Sequence, residues 1–271
     1  MIPDIKNNRN NRIHPKDDFL ITEAFPTVWC PGCGIGTALY ALFEAAKEMG
    51  IQSQLHVFSG TGCTGKAADC LRVSAQSVET GFVAAAGAEW KRKNLQSKTV
   101  AIINNSDVLF SGGRDIWEAG QNQDDLVLII INNLLYTLSR KQAFPLTPFM
   151  RRSAAGGVDL PFNYPFFSHK AGAGLVARWN PLHAGWMRHT LIDALSTKGL
   201  SVVELISPCM IFRTETKEIL NPVERMSFLH DFCEMRYQEP SDDMDLRRPG
   251  PIIVGRFSPA GGDKEFNHYE S

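Results

Sequence analysis

A chain of 271 residues with a formal net charge of −1 and a pI near 6.7 is long enough to bury a large core. It offers no general electrostatic reason to bind nucleic acid. Its longest purely apolar run, 126–131, is too short to span a bilayer, and the polar, Asn-rich stretch 1–18 lacks the apolar segment of a signal peptide or anchor.

These bounds predict a cytoplasmic protein that engages neither membrane nor nucleic acid. Its six cysteines stay reduced and serve metal binding or catalysis rather than a disulfide framework.

In chain order, an N-terminal arm (1–24) leads into Trp29-Cys-Pro-Gly-Cys-Gly-Ile-Gly36. Cys30 and Cys33, separated by a Pro-Gly turn, reach one metal centre from a single loop, with thiolate as the ligand form. That is half of a four-ligand site, whether zinc or an iron–sulfur cluster. The other half must come from Cys63, Cys70, Cys209 and Cys233.

Residues 36–49 have helical apolar spacing and stop at Gly50, so a helix starts just beyond Cys33 with its amides toward the loop. A short strand, 55–58, runs into the glycine-rich turn 59–65, where backbone approaches a ligand closely and Cys63 sits. A helix over 79–93, a strand over 99–103, a helix over about 113–121 and a strand over 126–131 form a βαβ unit. Its ligand-facing loops, 104–107 and 132–133, lie at the carboxyl ends of parallel strands. The Pro- and aromatic-rich stretch 144–186 reads as a long irregular excursion, a functional segment or subunit contact. A helix over 191–197 and a strand over 200–206, running into Ser207-Pro-Cys209, complete the domain (25–210). The extension 211–271 carries a short strand, 252–254.

Several of these stretches carry a resemblance: Trp29-Cys-Pro-Gly-Cys-Gly34, Ser59-Gly-Thr-Gly-Cys63, Asn132-Asn-Leu-Leu-Tyr136, Pro145-Leu-Thr-Pro148, Val176-Ala-Arg-Trp179 and Ser207-Pro-Cys209. Over roughly residues 25–210 the chain resembles the β subunits of the 2-oxoacid:ferredoxin oxidoreductases, which hold the diphosphate half of thiamine diphosphate. The resemblance implies an α/β thiamine-diphosphate-binding fold of the diphosphate-domain type, a parallel sheet flanked by helices. It also implies a 4Fe-4S cluster on Cys30, Cys33, Cys63 and Cys209. Four thiolates from three loops satisfy a cubane with no other residue type, whereas structural zinc usually draws on two close pairs. Cys70 and Cys233 then read as small buried apolar residues.

The same resemblance assigns Gly60, Cys63, Asn105, Ser106, Asp107, Asn133, Leu135 and Tyr136 to thiamine diphosphate, with Mg²⁺ held by Asn105, Asn133 and the carbonyl of Leu135. Here the sequence departs from the family. Asn105 stands where the family has Asp, and a neutral amide suits a hard cation less well than a carboxylate. Asn104 and Ser106 replace glycines, and Thr80 and Phe82 replace His and Arg. Gly112-Gly-Arg-Asp115 replaces Gly-Gly-Asn-His, Gln121-Asn-Gln123 replaces Arg-Arg-Asn, and Tyr136-Thr-Leu-Ser-Arg-Lys-Gln142 replaces a glycine-rich run. Arg140 and Lys141 offer cationic charge to a phosphate in place of glycine amides; as solvated surface residues they would do nothing of the kind.

Two functions lead, and a binding module with structural zinc is the remaining alternative. One is a β-type subunit in which thiamine diphosphate decarboxylates a 2-oxoacid and electrons pass through the cluster to ferredoxin or another acceptor. The other is a divergent paralogue with an altered or lost thiamine site, acting as an electron relay or scaffold. Both imply an α subunit supplying the pyrimidine half, with ferredoxin-like γ/δ-type subunits or domains.

Overall fold

The computed structural model describes residues 19–21, 29–108, 112–133, 135–137, 142–143, 163–207, 209, 221–246 and 248–258. Its centre is an eight-stranded sheet: β1 (Leu55–Ser59), β2 (Ser74–Ser77), β3 (Lys98–Asn104), β4 (Leu126–Asn132), β7 (Leu175–Trp179), β8 (Ser201–Ile206), β9 (Cys233–Met235) and β10 (Ile252–Ser258), in the order β2-β1-β3-β4-β8-β7-β10-β9. Every pairing is parallel except β10 against β7. A separate antiparallel pair, β5 (Leu135–Thr137) and β6 (Gln142–Ala143), follows β4.

β4 and β8 are buried along their whole length, as nearly continuous apolar text predicts for strands covered on both faces. Successive residues alternate between two cores. Val100, Ile102, Ile129 and Val203 pack with α1 (Gly34–Glu48) and α7 (Ala184–Ser196). Ala101, Ile103, Leu128 and Val202 pack with α3 (Val83–Lys93) and α5 (Gly113–Gln121), joined by Tyr164 of α6 (Tyr164–Ala171). The result is the expected α/β architecture, a mostly parallel sheet with helices on both faces.

From β1 the chain passes through α2 (Gly62–Asp69) to the outer strand β2, then returns to lay β3 on the other side of β1. Strand order therefore reverses between β1 and β3, and the loops leaving their carboxyl ends flank the crevice where open α/β sheets bind ligands.

Three sequence expectations change. Cys63 lies in the first turn of α2 rather than in an open turn. The excursion read over 144–186 is regular from Asn163 onward. Asn163 caps α6 through Phe166 N–H, Pro165 occupies its first turn, Gly172 ends it at φ 98°, and β7 follows. Residues 144–162 lie outside the described residues. The extension also carries α8 (Pro222–Asp231) and β9, where the sequence reading had only the strand at 252–254. The end of the N-terminal arm is anchored: Phe19 is buried and stacks on Phe43 at 4.8 Å, and Ile21 N–H donates to Cys70 O. Among the described residues no helix is long and apolar enough to cross a membrane.

Candidate cofactor and cluster site

The cysteine loop is a tight turn. Cys33 N–H donates to Cys30 O at 3.0 Å, and Gly32 adopts φ 82°, open to glycine at little cost. Helix α1 then begins at Gly34, whose N–H donates to Ser207 Oγ at 2.7 Å. A Cβ on Gly34 would lie 2.7 Å from Ser207 Cβ and 2.8 Å from Leu205 Cδ2, so only glycine lets the helix start meet the exit of β8. Ser207 and Cys209 are held in turn by β4, their N–H groups donating to Asn132 O and Asn133 O at 2.9 and 3.2 Å. Trp29 Nε1 reaches across to Cys63 O at 2.8 Å.

These ties bring three loops together. Cys30, Cys63 and Cys209 stand within electrostatic reach of Cys33, whose thiol is pushed up to about 11 chiefly by burial, opposed by a backbone hydrogen bond from Ile35 and aided by the other three cysteines. Partial burial, then Cys209 and Cys30, raise Cys63. Both shifts favour the thiol form of Cys33 and Cys63, and a bound cation reverses that preference. Among the described residues no three His, Cys, Asp or Glu groups stand close enough to hold a single metal ion. A cubane asks for something wider, because each thiolate binds a different iron. The donor set fits such a cluster.

Cys70 is buried. Cys233 donates to Leu229 O at 3.0 Å and accepts from Asn180 Nδ2 at 3.4 Å. Neither appears among the groups acting on Cys33 or Cys63.

The second cluster of expected residues lies at the switch point. Asn104 caps the single turn α4 (Asn105–Asp107): its side-chain oxygen accepts from Ser106 N and Asp107 N, and Asp107 returns a bond to Asn104 N. This capping box is how the turn forms without the glycines. The Asp107 carboxylate accepts from Gly81 N at 3.1 Å and Asn104 N at 2.9 Å; burial raises its pKa and those two bonds lower it. Gly60 presses against it, since a Cβ there would be 2.7 Å from Asp107 Oδ2. Thr61 and Thr80 bond hydroxyl to hydroxyl across the loop. Gly60, Ser106 and Asp107 thus gather at one crevice, while Asn133 leaves β4 half-buried with its carbonyl on Cys209. Leu135 and Tyr136 lie in β5. Arg140 and Lys141 lie outside the described residues.

Asn105 is different. It is fully buried; its Nδ2 donates to Asn132 Oδ1 at 2.9 Å, and its Oδ1 accepts from Tyr164 OH at 3.1 Å. Asn132 Nδ2 donates to Glu204 Oε1 at 2.6 Å, and Glu204 Oε2 pairs with Arg178 Nε at 2.6 Å. Asn105 and its neighbours do not fit a divalent-metal ligand set, because both ends of that amide are engaged and the carboxylate of the same turn, Asp107, already accepts from Gly81 N and Asn104 N. The sequence reading missed Tyr164, Asn132, Glu204 and Arg178 as a group. Its available signal was charge inside apolar strands: Glu204 within 201–206 and Arg178 within 175–179, which burial tolerates only when paired.

The model of the thiamine pyrophosphate enzyme C-terminal TPP-binding domain matches residues 60–205, from the glycine loop to the end of β8. The 2-oxoglutarate synthase subunit KorB of Archaeoglobus fulgidus is 28% identical over 243 residues, 89% of this chain and 87% of that relative. The β subunit of 2-oxoacid:ferredoxin oxidoreductase 1 of Aeropyrum pernix is 26% identical over 227 residues, 82% of this chain and 68% of that relative. In fold, the chain is similar to the 2-oxoglutarate:ferredoxin oxidoreductase of Magnetococcus marinus solved with 2-oxoglutarate, coenzyme A and succinyl-CoA bound. The TM-score is 0.71 at 20% identity, covering 92% of this chain and 86% of that one.

Proposed function

The chain belongs to the family of thiamine pyrophosphate enzymes with a C-terminal TPP-binding domain, and from that premise we propose that it is the β-type subunit of a multi-subunit 2-oxoacid:acceptor oxidoreductase. In that role it carries a 4Fe-4S cluster on Cys30, Cys33, Cys63 and Cys209. The single observation that carries the reading is the set of hydrogen bonds that tie together the cysteine loop, the start of α2 and the exit of β8, the three segments that carry those four cysteines. Likeness over most of the chain to a KorB subunit of 2-oxoglutarate synthase and to a 2-oxoacid:ferredoxin oxidoreductase β subunit supports it.

Oxidative decarboxylation of a 2-oxoacid releases carbon dioxide and two electrons, and a 4Fe-4S cluster accepts such electrons one at a time. The chain's own residues fix where that transfer occurs. Trp29 and Gly34 lock the cluster loops together, and the carbonyl of Asn133 ties Cys209 to the end of β4. The cluster therefore sits beside the strand ends that border the crevice. An α subunit would close that crevice with the pyrimidine half of the thiamine site, and a ferredoxin-like γ/δ subunit, ferredoxin itself or another acceptor would receive the electrons.

A second reading, a divergent paralogue serving as an electron relay or scaffold, is favoured by the engaged amide of Asn105. One experiment separates the two. The complex is purified anaerobically with its partners, 2-oxoglutarate or pyruvate is added, and cluster absorbance near 400 nm is followed. Bleaching by a 2-oxoacid, lost in Cys209→Ser, is the expected result. A cluster bleached by dithionite but by no 2-oxoacid would leave the relay reading.

A further inference from the structure

We propose that this chain holds no divalent metal at the Asn105 turn, because a buried hydrogen-bond chain running Tyr164–Asn105–Asn132–Glu204–Arg178 has taken over the donors that a metal would need. The proposal rests on the family assignment only for the kind of cofactor concerned; the bonds themselves are properties of the fold.

The chain has a direction, and its far end sets it. Arg178 and Glu204 are both essentially inaccessible, at 0% and 1% exposure. Arg178 also donates through Nη1 to Met244 O at 2.8 Å. A carboxylate facing a guanidinium accepts hydrogen bonds and donates none, so Oε1 of Glu204 must receive the Asn132 NH₂ group at 2.6 Å. That turns the Asn132 oxygen toward Asn105, which presents its own NH₂ at 2.9 Å. The Asn105 oxygen is then left facing α6, where the Tyr164 hydroxyl donates to it at 3.1 Å. Tyr164 is itself 2% exposed, and a buried phenol needs such a partner.

Each group is thus oriented by the one before it, from β7 through β8, β4 and α4 to α6. Turning the Asn105 oxygen into the crevice would break its buried bonds to Asn132 and Tyr164. The reward would be a neutral oxygen on a hard cation that favours anionic ones. The chain's own charges, Arg178 and Glu204, cancel, so it supplies no negative charge to a cation. Asp107, two residues on in the same turn, already accepts from two backbone N–H groups.

The test uses the purified complex, with iron and sulfide measured on the same sample. Mn²⁺, as a spectroscopic stand-in for Mg²⁺, is titrated with and without thiamine diphosphate by electron paramagnetic resonance, for the wild type, Asn105→Ala and Tyr164→Phe. The proposal expects no Mn²⁺ site of one per chain in any of the three, with or without thiamine diphosphate, together with a lower urea midpoint in both variants, since each removes a buried hydrogen bond. A Mn²⁺ site of one per chain that disappears in Asn105→Ala would overturn it, as would variants as stable as the wild type. If a variant does not fold, a wild-type titration in which one Mn²⁺ per chain appears only with thiamine diphosphate still counts against the proposal, and its absence still supports it. Missing iron would sink the subunit assignment and leave the manganese result to decide this one.

Discussion

The cysteine loops and the Asn105 turn lie at the same end of one sheet, are joined through β4, and have gone opposite ways. At the first, backbone ties spend their geometry on bringing four side chains together: Gly34 against Ser207, Trp29 on Cys63, Cys209 on Asn133. At the second, side chains bond to one another and close the space, with Asn105 held between Asn132 and Tyr164. A site meant for an added group leaves its donors unsatisfied until that group arrives. A site that has become part of the core satisfies them from within. The contrast separates binding from packing where a residue-by-residue alignment would assign both regions to cofactors.

The largest expected effect falls on the packed region. Arg178→Met strands the Glu204 carboxylate in the core, and removing one partner of a buried pair costs about 3–5 kcal/mol. Urea unfolding should show that loss while iron content at low temperature stays at the wild-type level. Loss of iron at full stability would mean that the two regions are one unit. Gly34→Ala attacks the other region. The added Cβ meets Ser207 and Leu205, overpacking of this kind costs about 1–3 kcal/mol, and iron per chain should fall because the start of α1 moves away from the exit of β8.

The smallest effect lies away from both regions, at His183. Burial, and then the His230 ring at 4.8 Å, lower its pKa to about 4. Its other neighbours are Trp179, at 5.5 Å between ring centroids, and the Asn180 N–H, which donates to Nδ1 at 3.4 Å. The folded state therefore binds this proton less readily than the unfolded chain, whose His titrates near 6.5. Its contribution is fully present above about pH 6.5 and is lost as pH falls toward 4. Melting temperature should drop across that interval, and His183→Phe should flatten the slope.

Much of the fold was legible because its strands and helices carry strong periods. The helix read over 113–121 and the strand over 126–131 match α5 and β4 closely, and the Cys-Pro-Gly-Cys stretch forms the tight loop ahead of α1 that its turn residues predict. α6 and β7 were not read, although Asn163, Pro165 and Gly172 are ordinary start and stop signals. Proline and aromatics on either side masked an eight-residue helix whose apolar face is weak. α8 was passed over in the same way despite its Asn221–Glu224 capping box. The Asn105 chain left only one sign in the sequence, the charges of Glu204 and Arg178 inside apolar strands, because its five members come from five elements and only the order β3-β4-β8-β7, with α4 following β3, brings four of them together.

The claim on which the rest depends is that Cys30, Cys33, Cys63 and Cys209 surround one inorganic cluster. Iron, acid-labile sulfide and zinc, quantified per chain in anaerobically purified complex for the wild type and Cys33→Ser, test it most directly, once the partner subunits' own clusters are subtracted. The account predicts about four irons and four sulfides assigned to this chain, all lost in the variant. Stoichiometric zinc, or an iron content that Cys33→Ser leaves unchanged, would contradict it.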